Sequence, residues 1–419
     1  MLFVVGIALL LLPVFLCCSK KGDEKKVLRD TREPIKEVMS SKPTNESQAA
    51  SSSKKSNEDD AATDPEHPEE QITRRKDKKK LSKDEDNRAA WARYALERPC
   101  RRLAKQYKTK LKKFMACGKD GRPLSTTVCD ANIVKNRYSD VACIDSSRVV
   151  LKGRSDDYIN ASWFLVPDNS VKYICTQGPL KETIEDFWCM SYQENVKMII
   201  MLCQLVEGSS EKCSIYWPPK LGDSEVYGSF TVRQTEQFPE PLEGVALTCF
   251  EIQFKKEEPK KIWHLLVPWW PDQLAPSSAT PMLEFHKWVK KNNEAGRPII
   301  VHCSAGVGRT STFVGYDYAT QRIREDFTVE MGDLVKEMRL MRSQAIQSHV
   351  QYIFLHLLVF QSFLDEGVLK MDDRLTKFIE DYTKNANKRL KKRKEDDEKC
   401  SKETKVPIRR KTREEIEDG

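Results

Sequence analysis

Residues 297–313 read RPIIVHCSAGVGRTSTF, from Arg297 to Phe313, and their reading decides the fold. Ile299 to Val301 form a short unbroken apolar run, the pattern of a strand buried on both faces. The run gives way to small residues containing Gly306 and Gly308, and the spacing beyond predicts a helix over Arg309 to Arg324. In a strand, tight loop and helix of this kind, the amides of Ser304, Ala305, Gly306, Val307 and Gly308 converge on one point. The positive end of the helix adds to them, so the loop is a cradle for an oxyanion, most naturally phosphate.

Arg309 completes that cradle with a planar fork of donors that Lys could not reproduce. The same positive surroundings favour the thiolate of Cys303, the nucleophilic form of the side chain. Most of the thirteen Cys read as small core residues. Cys303 is set apart by its neighbours, because His302, Cys303, Gly306, Arg309 and Thr310 spell HCxxGxxR[ST].

Further motifs follow in order along the chain. Lys135 to Tyr138 is KNRY, Asp157 to Ser162 is DYINAS and Thr176 to Leu180 is TQGPL. Phe187-Trp188 comes next, then Lys212 to Pro218 as KCxxYWP, Trp270-Pro271-Asp272 as WPD, and Gln347 to Tyr352 as QTxxQY with Ser348 in place of Thr. In these motifs the chain resembles the tyrosine-specific, cysteine-dependent branch of the protein tyrosine phosphatases, with a single catalytic domain.

The resemblance implies an α/β fold: a highly twisted mixed β-sheet flanked by α-helices, with the phosphate loop between a strand and a helix. It also implies hydrolysis of phosphotyrosine in proteins through a phosphocysteine on Cys303. Asp272 would serve as general acid and then general base. Gln347 would place the hydrolytic water with help from Gln351, and Thr310 would hydrogen-bond the Cys303 sulfur. Tyr138 would wall a slot deep enough for phosphotyrosine, and Asp140 would accept from the amides of the substrate backbone. Glu207 would hold Arg309 in plane, Lys212 would support the site, and His302 would order the loop together with Tyr216. The six His show no metal-ligand spacing, so neither metal nor cofactor is expected.

Two positions depart from the family pattern. Ser348 keeps the hydroxyl of Thr. Leu274 stands where WPDxGxP has Gly, and if that position needs a positive φ, Leu would cost about 1 kcal/mol or more. The alternative function is therefore a weak or inactive phosphotyrosine-binding pseudophosphatase whose loop Leu274 locks open.

The whole chain has 419 residues, of which 32% are charged and 39% hydrophobic. This excludes a disulfide-built miniature and a multi-span membrane protein. All eight Trp lie between Arg88 and Phe363, so 88–365 is expected to be the catalytic domain. Residues 2–18 are apolar and are followed by Lys20, Lys21, Lys25 and Lys26. An uncleaved anchor with the catalytic domain in the cytosol is expected, the alternatives being a soluble cytoplasmic protein or, if 2–18 is a cleaved signal segment, secretion. Residues 19–87 read as a charged, Ser-rich disordered linker and 366–419 as a charged disordered tail. The net charge of +8 does not by itself mark a nucleic-acid binder, and none is expected. Residues 88–113 hold ten bases and one acid, a solvated face or a patch attracted to anionic lipid.

Overall fold

In the computed structural model, which describes residues 86–403, the quoted stretch lies at the centre of a nine-stranded mixed sheet. β11 (Ile299–His302) runs parallel between β3 (Lys172–Thr176) and β4 (Met198–Met201), and all four of its residues are buried. Burial on both faces is why its apolar run does not alternate with polar residues. β4 pairs in parallel with β10 (Lys260–Leu266). Antiparallel strands extend both sides of this core, β2 (Tyr158–Leu165) and β1 (Arg148–Val150) beyond β3, and β9 (Ala246–Phe254), β8 (Phe230–Phe238) and β7 (Ser224–Tyr227) beyond β10. A separate hairpin joins β5 (Val206–Glu207) to β6 (Ser210–Glu211).

Helices flank the sheet. The basic entry forms α1 (Asn87–Ala95) and α2 (Cys100–Gln106), separated around Pro99, which cannot continue a helix. Trp91 of α1 is 1% exposed and packs on Phe360 and Phe363, so this segment belongs to the core rather than to a tether. The remaining helices begin with α3 (Thr127–Ala131), α4 (Ile184–Gln193) and α5 (Thr280–Asn292). They continue as α6 (Arg309–Glu325), α7 (Met331–Met341) and α8 (His349–Asp365). Every residue of α8 from Val350 to Phe360 is buried, because helices cover it on several sides.

The expectation of a disordered tail from residue 366 is corrected. Residues Asp373–Glu403 form one long helix, α9. Leu375, Phe378, Tyr382 and Ala386 recur at helical spacing and are at most 4% exposed. Phe378 meets Phe360 edge-on and Tyr382 stacks on Phe354 of α8. This narrow apolar stripe is masked by the surrounding charge in any compositional reading, yet it suffices to bury one face. The expected anchor at 2–18, the linker before residue 86 and the tail after 403 lie outside the described residues. Among the described residues, no helix is long and apolar enough to cross a membrane.

Candidate active site

β11 delivers Cys303 to the top of the sheet, where it is 3% exposed, and α6 begins at Arg309. The loop between them has every backbone carbonyl turned away from its centre. Ser304 O accepts from Gly178 N, Val307 O from Ile346 N and Gly308 O from Thr312 N. Ala305 O and Gly306 O accept from the guanidinium of Arg342 at 3.1 and 3.2 Å. Among the described residues, none of the amides from Ser304 to Arg309 donates to a protein acceptor. Buried amides do not normally go unmatched, so an inward ring of donors of this kind is a nest for an anion.

Two glycines make the turn possible. Gly306 has φ +69°, and a Cβ there would stand 2.2 Å from Thr176 O. At Gly308 a Cβ would come within 2.9 Å of Gln347 Oε1 and Gln351 Nε2. The side-chain atoms Arg309 Nε, Thr310 Oγ1 and Gln351 Nε2 are likewise buried without a hydrogen-bond partner among the described residues. These donors suit a phosphoryl group better than a neutral ligand.

Arg309 is 1% exposed and is gripped from three directions. Its Nη1 donates to Glu207 Oε1 at 2.5 Å and to Trp270 O at 2.9 Å, and its Nη2 to Asp272 Oδ1 at 3.1 Å. Burial pulls the Arg309 pKa down, but its interactions with Cys303, Asp272 and Glu207 outweigh it, and the net shift is upward. The fork therefore stays charged and fixed in plane. Asp272 also accepts from Lys212 Nζ at 3.0 Å. Burial would raise the Asp272 pKa, but Arg309 and Lys212 overcome it and hold the carboxyl below its ordinary range.

The loop carrying Asp272 is closed over the cradle. Trp270 is fully buried, packs edge-on against Phe354, and donates from Nε1 to Leu274 O at 2.9 Å. The concern about Leu274 is removed, because the positive φ lies one residue earlier, at Gln273 with φ 56°. Gln273 carries that strain with support, since its carbonyl accepts from Ser348 Oγ at 2.9 Å and its N–H donates to Asp272 Oδ1 at 3.0 Å.

Below the loop, His302 Nε2 and Tyr216 Oη are 2.8 Å apart, and Tyr216 Oη lies 2.8 Å from His264 Nε2. His302 Nδ1 also faces Cys303 O at 3.2 Å. Burial lowers His302 to about 4 and His264 to about 3. Both rings are therefore neutral at pH 7, and only one proton arrangement satisfies the chain: His264 N–H to Tyr216, Tyr216 O–H to His302, and His302 N–H to Cys303 O.

At the rim, Tyr138 Oη is 2.8 Å from Ser304 Oγ, and its ring packs with Val141, Ala305 and Val307. Asp140 is exposed, and its carboxylate has no ion pair among the described residues. Gln347 and Gln351 sit against Gly308, with Gln351 Oε1 accepting from Gln347 N at 3.1 Å. One expected contact does not form: Thr310 Oγ1 makes no bond to the Cys303 sulfur. The motif sets the order of these two residues, but it does not set the rotamer that would bring their atoms together.

Sequence reasoning missed Arg342, which is fully buried and links the loop carbonyls to Ser162 Oγ at 3.3 Å. Its one signal is its place five residues before Gln347, and a lone Arg near a helix end ordinarily reads as surface.

The fold and site define a cysteine-centred phosphate cradle closed by a loop bearing a carboxyl group. The family model described as protein-tyrosine phosphatase matches residues 132–361, and the chain belongs to that family, with one catalytic domain. Among curated relatives, the chain is 42% identical over 234 residues to the tyrosine-protein phosphatase Lar-like of Caenorhabditis elegans, a match covering 54% of this chain and 10% of that protein. It is 34% identical over 275 residues to the human tyrosine-protein phosphatase non-receptor type 9, covering 60% and 46%. The chain thus spans less than half the length of these two relatives. Among solved structures, the catalytic domain of human protein tyrosine phosphatase non-receptor type 18 matches with a TM-score of 0.53 at 30% identity, covering 66% of this chain and 96% of that one. A complex of PTPN18 with a phosphorylated HER2 peptide matches with a TM-score of 0.53 at 32% identity, covering 58% and 86%.

Proposed function

We propose that the chain hydrolyses phosphotyrosine in proteins. The observation that carries this reading is the trio of Cys303 at the base of the amide ring, Arg309 locked between Glu207 and Trp270 O, and Asp272 closed over both. The Cys303 thiolate attacks phosphorus in line, forming a P–S bond as the P–O bond to the tyrosine breaks. Asp272, protonated in the complex, gives its proton to the departing phenolate. Water oriented by Gln347 then attacks the phosphocysteine, Asp272 takes the water proton, the P–S bond breaks to return the Cys303 thiolate, and phosphate leaves.

Tyr138 at the rim supports an aromatic substrate, and the unpaired Asp140 supports recognition of peptide amides. The relative PTPN18 occurs in complex with phosphorylated HER2 peptides, which favours protein substrates here too. The reading also puts the catalytic unit in the cytosol behind an anchor at 2–18, and the ten unpaired cysteines of the described residues fit a reducing compartment. The closed loop and the φ at Gln273 favour an active enzyme over a pseudophosphatase.

The direct test is turnover of p-nitrophenyl phosphate by the full chain. Phosphate release should be abolished in Cys303→Ser, and a wild-type rate no higher than that variant's would overturn the reading.

A second expectation follows from Lys212. Its ammonium stabilises the Asp272 carboxylate and so holds that group's pKa down. The first step needs Asp272 protonated, so Lys212→Met should raise the Asp272 pKa and carry the alkaline limb of the kcat/KM profile to higher pH. A limb that stays in place or moves down would contradict the link.

A further inference from the structure

Away from the catalytic cradle, α2, the start of α8 and the middle of α9 line a half-open cavity of about 510 Å³. Its size falls within the range of small-molecule sites, about 300–1,000 Å³. The inner wall is apolar, formed by Ala104, Val350, Ile353, Ala386 and the ring of Tyr382. The mouth is basic: Arg101 and Lys105 line it from α2, Lys108 from the helical turn Tyr107–Leu111 that follows it, and Arg389 from α9. Arg101, Lys105 and Lys108 are exposed, and none of the four bases has an ion pair among the described residues.

Among the described residues, no carboxylate lines this space. Asp381 is felt electrostatically by Cys100 in the wall, but burial is the larger influence and pushes that thiol up to about 12, so it stays protonated. His349, also in the wall, is lowered to about 4 by burial and by the charges of Arg389, Lys108 and Lys112. Among the described residues, the formal charges that line the cavity are therefore positive, and Asp381 is not among its lining residues.

We propose that this cavity binds an anionic amphiphile, with its hydrocarbon body against Val350, Ile353 and Ala386 and its carboxylate or phosphate head among Arg101, Lys105, Lys108 and Arg389. A small hydrophilic anion would leave the apolar wall unfilled, and a flat bilayer surface cannot enter a concave site. A basic peptide would meet four like charges. The body of the ligand lies against Tyr382, whose hydroxyl donates to Pro276 O at 2.6 Å just beyond the loop that carries Asp272.

The test is calorimetric titration of the full chain with dodecanoate below its micellar concentration, a probe that carries no phosphoryl group. One saturable site is expected, unaffected by saturating orthovanadate, which occupies the catalytic cradle. Dodecyltrimethylammonium, with the same tail and the opposite charge, should bind at least tenfold more weakly. Arg101→Glu with Lys105→Glu, both on the exposed side of α2, should weaken dodecanoate at least tenfold. Ala104→Phe, which fills the cavity without changing charge, should do the same. Circular dichroism melts confirm that each variant is folded.

Displacement by orthovanadate would move the site to the cradle and overturn the proposal, whatever the outcome for catalysis. Equal binding of the cationic probe, or indifference to the substitutions, would also overturn it. So would co-sedimentation with phosphatidylserine vesicles without uptake of dodecanoate, because the bases would then serve a membrane surface and not a cavity.

Discussion

Replacing Asp272 with Ala is expected to lower kcat for phosphotyrosine peptides by about 10²–10⁴-fold, the usual contribution of a positioned general acid. The loss should depend on the leaving group. Tyrosine departs as a strongly basic phenolate and needs the proton, whereas nitrophenolate is a weak base and should suffer less. Binding should be retained or tightened, because the substitution removes a carboxylate from the edge of an anion site and releases Arg309 Nη2, now 3.1 Å from Asp272. Steady-state kinetics over a series of aryl phosphates would measure this. Equal losses across the series would assign Asp272 to loop geometry alone.

Arg309→Lys is expected to be comparably damaging, with kcat/KM falling about 10³-fold, since loss of one preorganised donor to a developing oxyanion already costs about 10²–10³. The guanidinium holds Glu207, the Trp270 carbonyl and Asp272 simultaneously. A lysine ammonium is a point donor on a flexible stem and cannot keep that plane. Two defects should appear together, with a higher KM because the ground-state dianion loses a partner and a lower kcat because the closed loop loses its latch on Trp270 O. Separate measurement of kcat and of orthovanadate affinity distinguishes them. A loss of less than tenfold in kcat/KM would show that the amide ring alone carries the phosphoryl group.

The core of the fold is legible in the sequence where physics leaves one reading. β11 announces itself because a strand buried on both faces has no polar side to display, and Gly306 after it is required by the close approach of Thr176 O. β2 gives no such signal. Asn160 and Ser162 interrupt its apolar pattern, yet both are buried, with Asn160 Nδ2 on Asn136 Oδ1 at 2.9 Å and Ser162 Oγ near Arg342. Those partners come from elsewhere in the chain, and local pattern cannot supply them. Edge strand β7 escapes notice for another reason, since three of its four residues are exposed and carry little hydrophobic signal.

The site divides in the same way. Cys303, Arg309, Asp272 and Glu207 are identified by motif, and the structure brings them together. Arg342, the positive φ at Gln273 and the unbonded Thr310 hydroxyl depend on backbone direction and rotamer, which residue order does not encode.

The last helix alters what a minimal version of this domain would contain. A chain ended at residue 365 looks, by motif, like the whole catalytic unit. It would nevertheless uncover Phe354 and Phe360 on α8 and strip the Tyr382 hydroxyl from Pro276 O. Because Trp270 packs against Phe354 on α8, the same cut would bare the side chain on which the acid loop rests. Deliberate truncation, limited proteolysis or a premature stop in this region would therefore act on catalysis from the far end of the polypeptide. A faithful fragment runs past Ala386, among the described residues the last of α9 buried in the core.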